Sequence, residues 1–283
     1  MSSCSTLRLN QGEQMKLVLG LFLLVIGSEP IAAINTKLSI DELIKGSLPS
    51  VYDSKLFWQG ELYSVEFSPE KKVPRWVSYV LDQSELESEG VNSESEFSKP
   101  HFPAQMLTQK NDWLGHHEKR AILLSRPQIW SKHKPYQMEA MHPSMLVPMW
   151  PEFYEKGQWA RLAHHELNWV KIYKKMVVIT GPVFDQASRK LSPYSQVMVP
   201  TSYFKIVLIP YPGDVRVSAF LLPHLKKALS TSELKTVTVS QIERLTGIEF
   251  FSGLPLSLAK QLKQQKDPLS LHRLKQKLYK DKY

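Results

Sequence analysis

Two adjacent histidines, His116 and His117, are closely followed by Lys119 and Arg120. An imidazole takes up a proton near neutral pH, and cations beside it attract phosphoryl oxygens. The run therefore combines a group able to activate water with groups able to hold a polyanion. A second stretch carries Arg161, His164, His165 and Glu166. Imidazole and carboxylate both bind metals, but neighbouring residues on a helix point in different directions, so three in succession do not make a ligand set. Between the two stretches lie His142, Met145 and Glu152. A thioether is a poor donor for a hard divalent cation, whereas a carboxylate is a good one.

These side chains need a frame. Residues 155–176 form the strongest helical pattern: Trp159, Leu162, Ala163, Trp169, Val170 and Tyr173 share one apolar stripe, leaving Arg161, His164, His165, Asn168 and Lys171 largely on other faces. Residues 62–67 and 76–81 read as paired strands joined by a charged, proline-bearing connection. Residues 176–184, 203–209 and 215–222 are strongly apolar strands bounded by Pro182, Pro210, Pro212-Gly213 and Pro223. Short helices are expected at 39–45 and at 239–245, the second with Ser240 as its N-cap ahead of Gly247. Residues 82–98, rich in Ser and Glu without periodicity, read as a surface loop. Neither an internal repeat nor a glycine-rich phosphate loop is present in the sequence.

At 283 residues and 42% apolar content, the chain supports a substantial core in one main domain. Residues 15–33 read as a secretory signal: Lys16 starts it, an apolar run occupies 17–27, and Ile31-Ala32-Ala33 supplies a small-residue exit. That run falls short of the about 20 apolar residues a membrane span needs. Residues 1–14 read as an overlong start or an extended n-region. The expected product is secreted or periplasmic, without a stable membrane span once the signal is removed. Cys4, the single cysteine, would leave with the signal, so the core alone must stabilise the exported protein.

The formal charge of +9 suits a polyanionic partner, DNA or RNA above all. Most of the excess lies in residues 256–283, where Lys260, Lys263, Lys266, Arg273, Lys275, Lys277, Lys280 and Lys282 face only Asp267 and Asp281. Leucines at partly helical spacing, interrupted at Asp267-Pro268, predict two short amphipathic helices there. Such helices either dock on the domain through their leucines or form an arm for nucleic acid or a membrane surface. The expected division is a signal at 1–33, an N-terminal segment at 34–60, the main domain at 61–255 and a basic tail at 256–283.

Four motifs give the main domain a family likeness: Trp113-Leu114-Gly115-His116, then Gly157-Gln158-Trp159-Ala160-Arg161-Leu162, then Val178-Ile179-Thr180-Gly181-Pro182-Val183-Phe184, and Ile242-Glu243-Arg244-Leu245-Thr246-Gly247-Ile248-Glu249-Phe250-Phe251. Over roughly residues 63–255 the chain resembles the non-specific DNA/RNA endonuclease family. Trp159-Ala160-Arg161-Leu162 together with Thr180-Gly181-Pro182 is the specific part of the match. The resemblance implies an α+β fold, a mixed and mainly antiparallel sheet with packed helices and a ββα-metal nuclease-like core. It implies phosphodiester hydrolysis with a divalent cation, Mg²⁺. His116 falls on the general-base histidine, with His117 next if the register slips by one, and Lys119, Arg120 and Arg161 are candidate phosphate contacts.

The chain departs from the family pattern at four polar positions. Trp113-Leu114 stands where the pattern has Asp-Arg, Met145 stands at the expected metal-holding Asn, and Ala163 replaces the helix glutamate. The site thus reads as degenerate, and a cation site would have to be rebuilt from His142, Glu152 or Glu166. Two functions fit. One is an exported endonuclease-like protein that binds nucleic acid and hydrolyses phosphodiesters with His116 as base and a divalent cation. The other is a catalytically inactive nuclease fold serving as a nucleic-acid-binding or protein-interaction module.

Overall fold

Strand β6 (Lys175–Val183) turns Val177 and Ile179 to one side and Val178 to the other, and all three are buried. Strand β9 (Ser202–Tyr211) repeats the pattern, with Ile206 and Leu208 on one side and Val207 and Ile209 on the other. Strands apolar on both sides must be covered on both. In the computed structural model, which describes residues 36–85, 102–114, 116–124, 142–211, 214–227, 234 and 236–266, these two strands lie at the centre of the largest sheet.

That sheet also contains β1 (Phe57–Gln59), β2 (Tyr63–Ser68), β3 (Val73–Asp82), β10 (Asp214–Pro223) and β11 (Thr236–Val237). Its order is β1-β2-β3-β6-β9-β10-β11, and each neighbouring pair is antiparallel. The α+β class and the antiparallel character expected from the sequence are therefore present, as are the strands at 62–67, 76–81, 176–184, 203–209 and 215–222.

The Thr-Gly-Pro motif ends β6 for packing reasons. The Thr180 hydroxyl donates to the Phe204 carbonyl at 2.7 Å. A Cβ at Gly181 would come within 2.5 Å of the Arg75 carbonyl oxygen and 2.8 Å of the Phe204 ring, so only glycine lets β6 sit between these neighbours.

One face of the sheet is covered by helices α1 (Ile40–Gly46), α3 (Val239–Thr246) and α4 (Leu256–Gln264), through Leu43, Val239, Ile242, Leu258, Ala259 and Leu262. The other face carries α2 (Gln158–Tyr173) and a separate hairpin of β4 (Lys119–Ile122) and β5 (Leu146–Met149). A small ladder of β7 (Arg189–Lys190) and β8 (Met198–Val199) lies in the connection from β6 to β9.

Local differences from the sequence reading have local causes. The helix expected at 155–176 is two pieces: a π-helical turn at Glu152–Lys156 and α2 from Gln158. Gly157 divides them because a Cβ there would lie 2.7 Å from the Phe153 Cα and 2.8 Å from the Glu152 carbonyl oxygen. The N-cap of α3 is Thr238, not Ser240. Thr238 forms a capping box with Gln241, which satisfies two backbone donors at once, whereas Ser240 lies inside the first turn. Helix α4, expected as the start of the tail, is docked by its leucines. The second tail helix, the signal and most of the 82–98 loop lie outside the described residues. Among the described residues no helix is long and apolar enough to cross a membrane.

Candidate active site

The hairpin, the π-helical turn and α2 are consecutive and together make a ββα unit on one face of the sheet. Strand β4 pairs with β5 in the register Lys119↔Met149, Arg120↔Pro148, Ala121↔Val147 and Ile122↔Leu146. Ala121, Ile122, Leu146 and Val147 anchor the hairpin in the core, and its open end carries the polar residues. His116 is half-buried just ahead of β4, His117 beside it is exposed, and Lys119 and Arg120 are exposed on the strand. Arg161 is half-buried in the first turn of α2, where its N–H donates to the Gly157 carbonyl at 3.2 Å.

Glu155 of the π-helical turn forms an ion pair with Lys119 across the hairpin. That contact ties the entry of β4 to the start of the helix and brings a carboxylate to the lysine expected to meet phosphate. Single π turns inside helical segments recur at functional sites because the extra residue re-aims side chains.

A polar cluster continues from Glu118. Its side chain is 4% exposed and ion-paired with Arg189 of β7. The Arg189 guanidinium carbon lies 5.9 Å from the Trp150 ring centroid, and the Lys226 ammonium lies 5.4 Å from the same ring. The Trp150 backbone N–H donates to His224 Nε2 at 2.9 Å, and His224 Nδ1–H donates to the Pro200 carbonyl at 3.0 Å. Both ring nitrogens are used as a neutral imidazole. Burial, chiefly, pushes the His224 pKa down to about 4. Burial likewise raises the pKa of Tyr203, reinforced by the Glu118 charge, and its hydroxyl donates to the Pro148 carbonyl. Sequence reasoning missed Glu118, Trp150, Glu155, Arg189 and Lys226. Glu118 alone had a local signal, its place between the histidines and Lys119.

The residues expected to hold a cation scatter. Met145 is fully buried in the core beneath the hairpin, so its position faces packed side chains rather than a ligand. His142, also fully buried, caps a short helical turn: its Nδ1 accepts from the Ser144 N–H at 3.1 Å and lies 2.6 Å from Ser144 Oγ. Glu166 points into the core and pairs with Lys205 at 2.6 Å, both side chains being 0% exposed. His142 and Glu166, both candidate ligands by sequence, are thus engaged by Ser144 and by Lys205. Glu152 is exposed in the π-helical turn. His164 is exposed, while His165 stacks on Trp169 at 5.8 Å and its pKa is lowered, mainly by burial. Among the described residues no group of three His, Cys, Asp or Glu side chains is arranged to hold a metal ion. Among the described residues, two of the three candidate donors are already satisfied inside the protein and do not fit a divalent cation, which leaves Glu152.

The rest of the helix motif is structural. Trp159 and Leu162 are buried, Trp159 packing against Tyr203 at 5.7 Å and Phe153 at 6.3 Å. Ala163 is half-buried and Leu114 is 61% exposed.

Comparison with known proteins follows the same outline. The family model for the DNA/RNA non-specific endonuclease matches residues 43–257. A mitochondrial nuclease of Saccharomyces cerevisiae is 28% identical over 139 residues, covering 42% of this chain and 42% of the yeast protein. A venom phosphodiesterase of Naja atra is 27% identical over 176 residues, covering 48% of this chain and 20% of that protein. The chain thus spans less than half the length of these curated relatives. One chain in a crystal structure of the EndoG/EndoGI complex, solved to address EndoG inhibition, matches with a TM-score of 0.66 at 18% identity. The match covers 82% of this chain and 99% of that one, and establishes likeness of fold.

Proposed function

The chain belongs to the DNA/RNA non-specific endonuclease family, and from that membership we propose that it is an exported, endonuclease-like protein that binds DNA or RNA without sequence preference, with His116 as general base for phosphodiester hydrolysis. The observation that carries this reading is the half-buried His116 just ahead of β4 of the ββα unit, followed by exposed Lys119 and Arg120, with Arg161 in the first turn of that unit's α2. His116 takes a proton from the attacking water. Lys119, Arg120 and Arg161 hold phosphoryl oxygens and offset the charge that builds on them. The family's divalent cation is assigned no step, since Met145, His142 and Glu166 are committed elsewhere. The two curated relatives, named for nuclease and phosphodiesterase activity, support the phosphodiester as the bond concerned.

A second reading, a nuclease fold that binds nucleic acid without cutting it, is favoured by the core burial of Met145 and the Glu166–Lys205 pair. Plasmid cleavage separates the two. The second reading expects the unmodified protein to show little magnesium-dependent cleavage while still retarding DNA in a gel at low salt. Robust cleavage abolished by EDTA and by His116→Ala would establish the catalytic reading with a rebuilt cation site. Cleavage that survives His116→Ala moves the base to His117. Export rests on the apolar run at 17–27 followed by Ile31-Ala32-Ala33. N-terminal sequencing of secreted or periplasmic material is expected to begin near Ile34, and an intact Met15 terminus on cytoplasmic protein rules export out.

A further inference from the structure

Glu66 of β2 is 1% exposed, yet it accepts four bonds. Its Oε1 receives the backbone N–H groups of Tyr52 at 2.6 Å and Asp53 at 3.1 Å. Its Oε2 receives the Trp76 indole N–H at 2.9 Å and pairs with the Arg75 guanidinium at 3.3 Å. A carboxylate buried to this degree requires such compensation. The consequence lies at the surface. Two successive backbone donors of the loop before β1 are pinned, and the side chain they display, Tyr52, stands 84% exposed with the Arg75 guanidinium 5.0 Å from its ring centroid.

Tyr52 and Arg75 line a cavity of about 440 Å³ at the end of the sheet where β2 turns into β3 and β6 finishes. The cavity also presents Phe184, whose ring has the Lys71 ammonium 5.4 Å from its centroid. Prolines 69, 74 and 182 and half-exposed Leu245 fill the wall between the rings. The size is that of a small-molecule site. Its chemistry is two aromatic rings, each with a cation over one face and the other face left for stacking, in a concavity with one exposed carboxylate, Glu70, at the turn. Flat apolar rings with adjacent cations suit a planar heterocycle that carries a phosphate.

We propose that this cavity is an accessory site for an unpaired nucleotide of a DNA or RNA strand, its base stacking on Tyr52 and Phe184 and its phosphate meeting Lys71 and Arg75. The inference rests on the reading that the protein engages nucleic acid, and it adds single-strand preference to it. Phe184 opens the connection to Arg189, which is bound to Glu118, two residues from His116. Five residues of chain reach at most roughly 18 Å.

The test uses the full chain with three probes: a fluorescein-labelled oligo-dT, a duplex of equal length, and UMP. Tyr52→Ala and Phe184→Ala are expected to weaken oligo-dT binding by about 5-fold to 150-fold, the range of one lost stacking contact, while duplex affinity stays unchanged; thermal unfolding stays unchanged for Tyr52→Ala and falls for Phe184→Ala, whose ring packs against the core. Lys71→Gln is expected to lower the log-log salt slope for oligo-dT by roughly 0.7. Tyr194→Ala, at a 97% exposed ring outside the cavity, is the control and is expected to change nothing. Crosslinking of a bromouracil-substituted strand is expected to mark the peptides containing Tyr52 or Phe184. Normal binding of both oligonucleotides with no effect of either ring substitution overturns the cavity assignment and leaves the nucleic-acid reading standing. Tyr52-dependent binding of UMP by a protein that retains neither oligonucleotide supports the nucleotide chemistry and overturns the nucleic-acid reading. Failure to bind any of the three probes overturns the site.

Discussion

Glu166 of α2 and Lys205 of β9 meet at 2.6 Å with neither side chain reaching solvent, and the Lys205 ammonium also lies 4.3 Å from the centroid of the Trp159 ring. This contact joins the helix of the ββα unit to the central sheet. It also removes from the surface Glu166, one of the residues the sequence offered for a rebuilt cation site.

Removing one partner of this pair strands a buried charge. Glu166→Leu alone is expected to destabilise the fold by about 3–5 kcal/mol, and Glu166→Leu with Lys205→Met by far less. Urea unfolding midpoints of the two variants check this. Equal losses would mean that packing rather than charge sets the cost.

Restoring an amide at Met145 is expected to fail. The side chain is 0% exposed in the core, so Met145→Asn buries a polar group without a prepared partner, at a cost of about 1–3 kcal/mol. Thermal unfolding should fall and magnesium-dependent cleavage should not rise. Leu114→Arg, at a 61% exposed position, should instead preserve stability and steepen the salt dependence of duplex DNA binding by roughly 0.9 in the log-log slope.

His224 predicts a pH dependence whose sign is fixed by its lowered pKa of about 4. Between an unfolded value of about 6.5 and the folded value, the unfolded chain binds a proton that the folded one refuses. Stability is therefore fully present above pH about 6.5 and is lost as pH falls toward 4, by on the order of 3 kcal/mol. His224→Gln should flatten unfolding free energy across that window. An unchanged slope would place the acid sensitivity elsewhere.

Truncation after Lys266 separates the roles of the basic end. Helix α4 must stay, because Leu258, Ala259 and Leu262 are core residues and the Gln265 side-chain oxygen accepts the Val217 N–H at 2.9 Å. Removing residues 267–283 should leave thermal unfolding unchanged and reduce the salt slope for DNA by several units if each lost cation met a phosphate. An unaltered slope removes the tail from the binding surface.

Much of the frame was legible along the chain. Continuous apolar runs such as Val177, Val178 and Ile179 marked central strands, and the short helical pattern at 39–45 marked α1, because both signals are written in neighbouring residues. The family motifs marked His116, Arg161 and the Thr-Gly-Pro strand end for the same reason. Other features depended on residues distant in sequence. Glu166 finds Lys205 39 residues away, Glu118 finds Arg189 71 residues away, and Trp150 finds His224 74 residues away. No local pattern distinguishes a glutamate that will face a cation from one that will face a buried lysine, or a methionine lining a site from one filling a core. Sequence determined which segments become strands and helices and which chemistry they carry. Only tertiary packing decided which polar groups were consumed inside the protein, because burial and pairing are set by what the rest of the fold brings within a few ångströms.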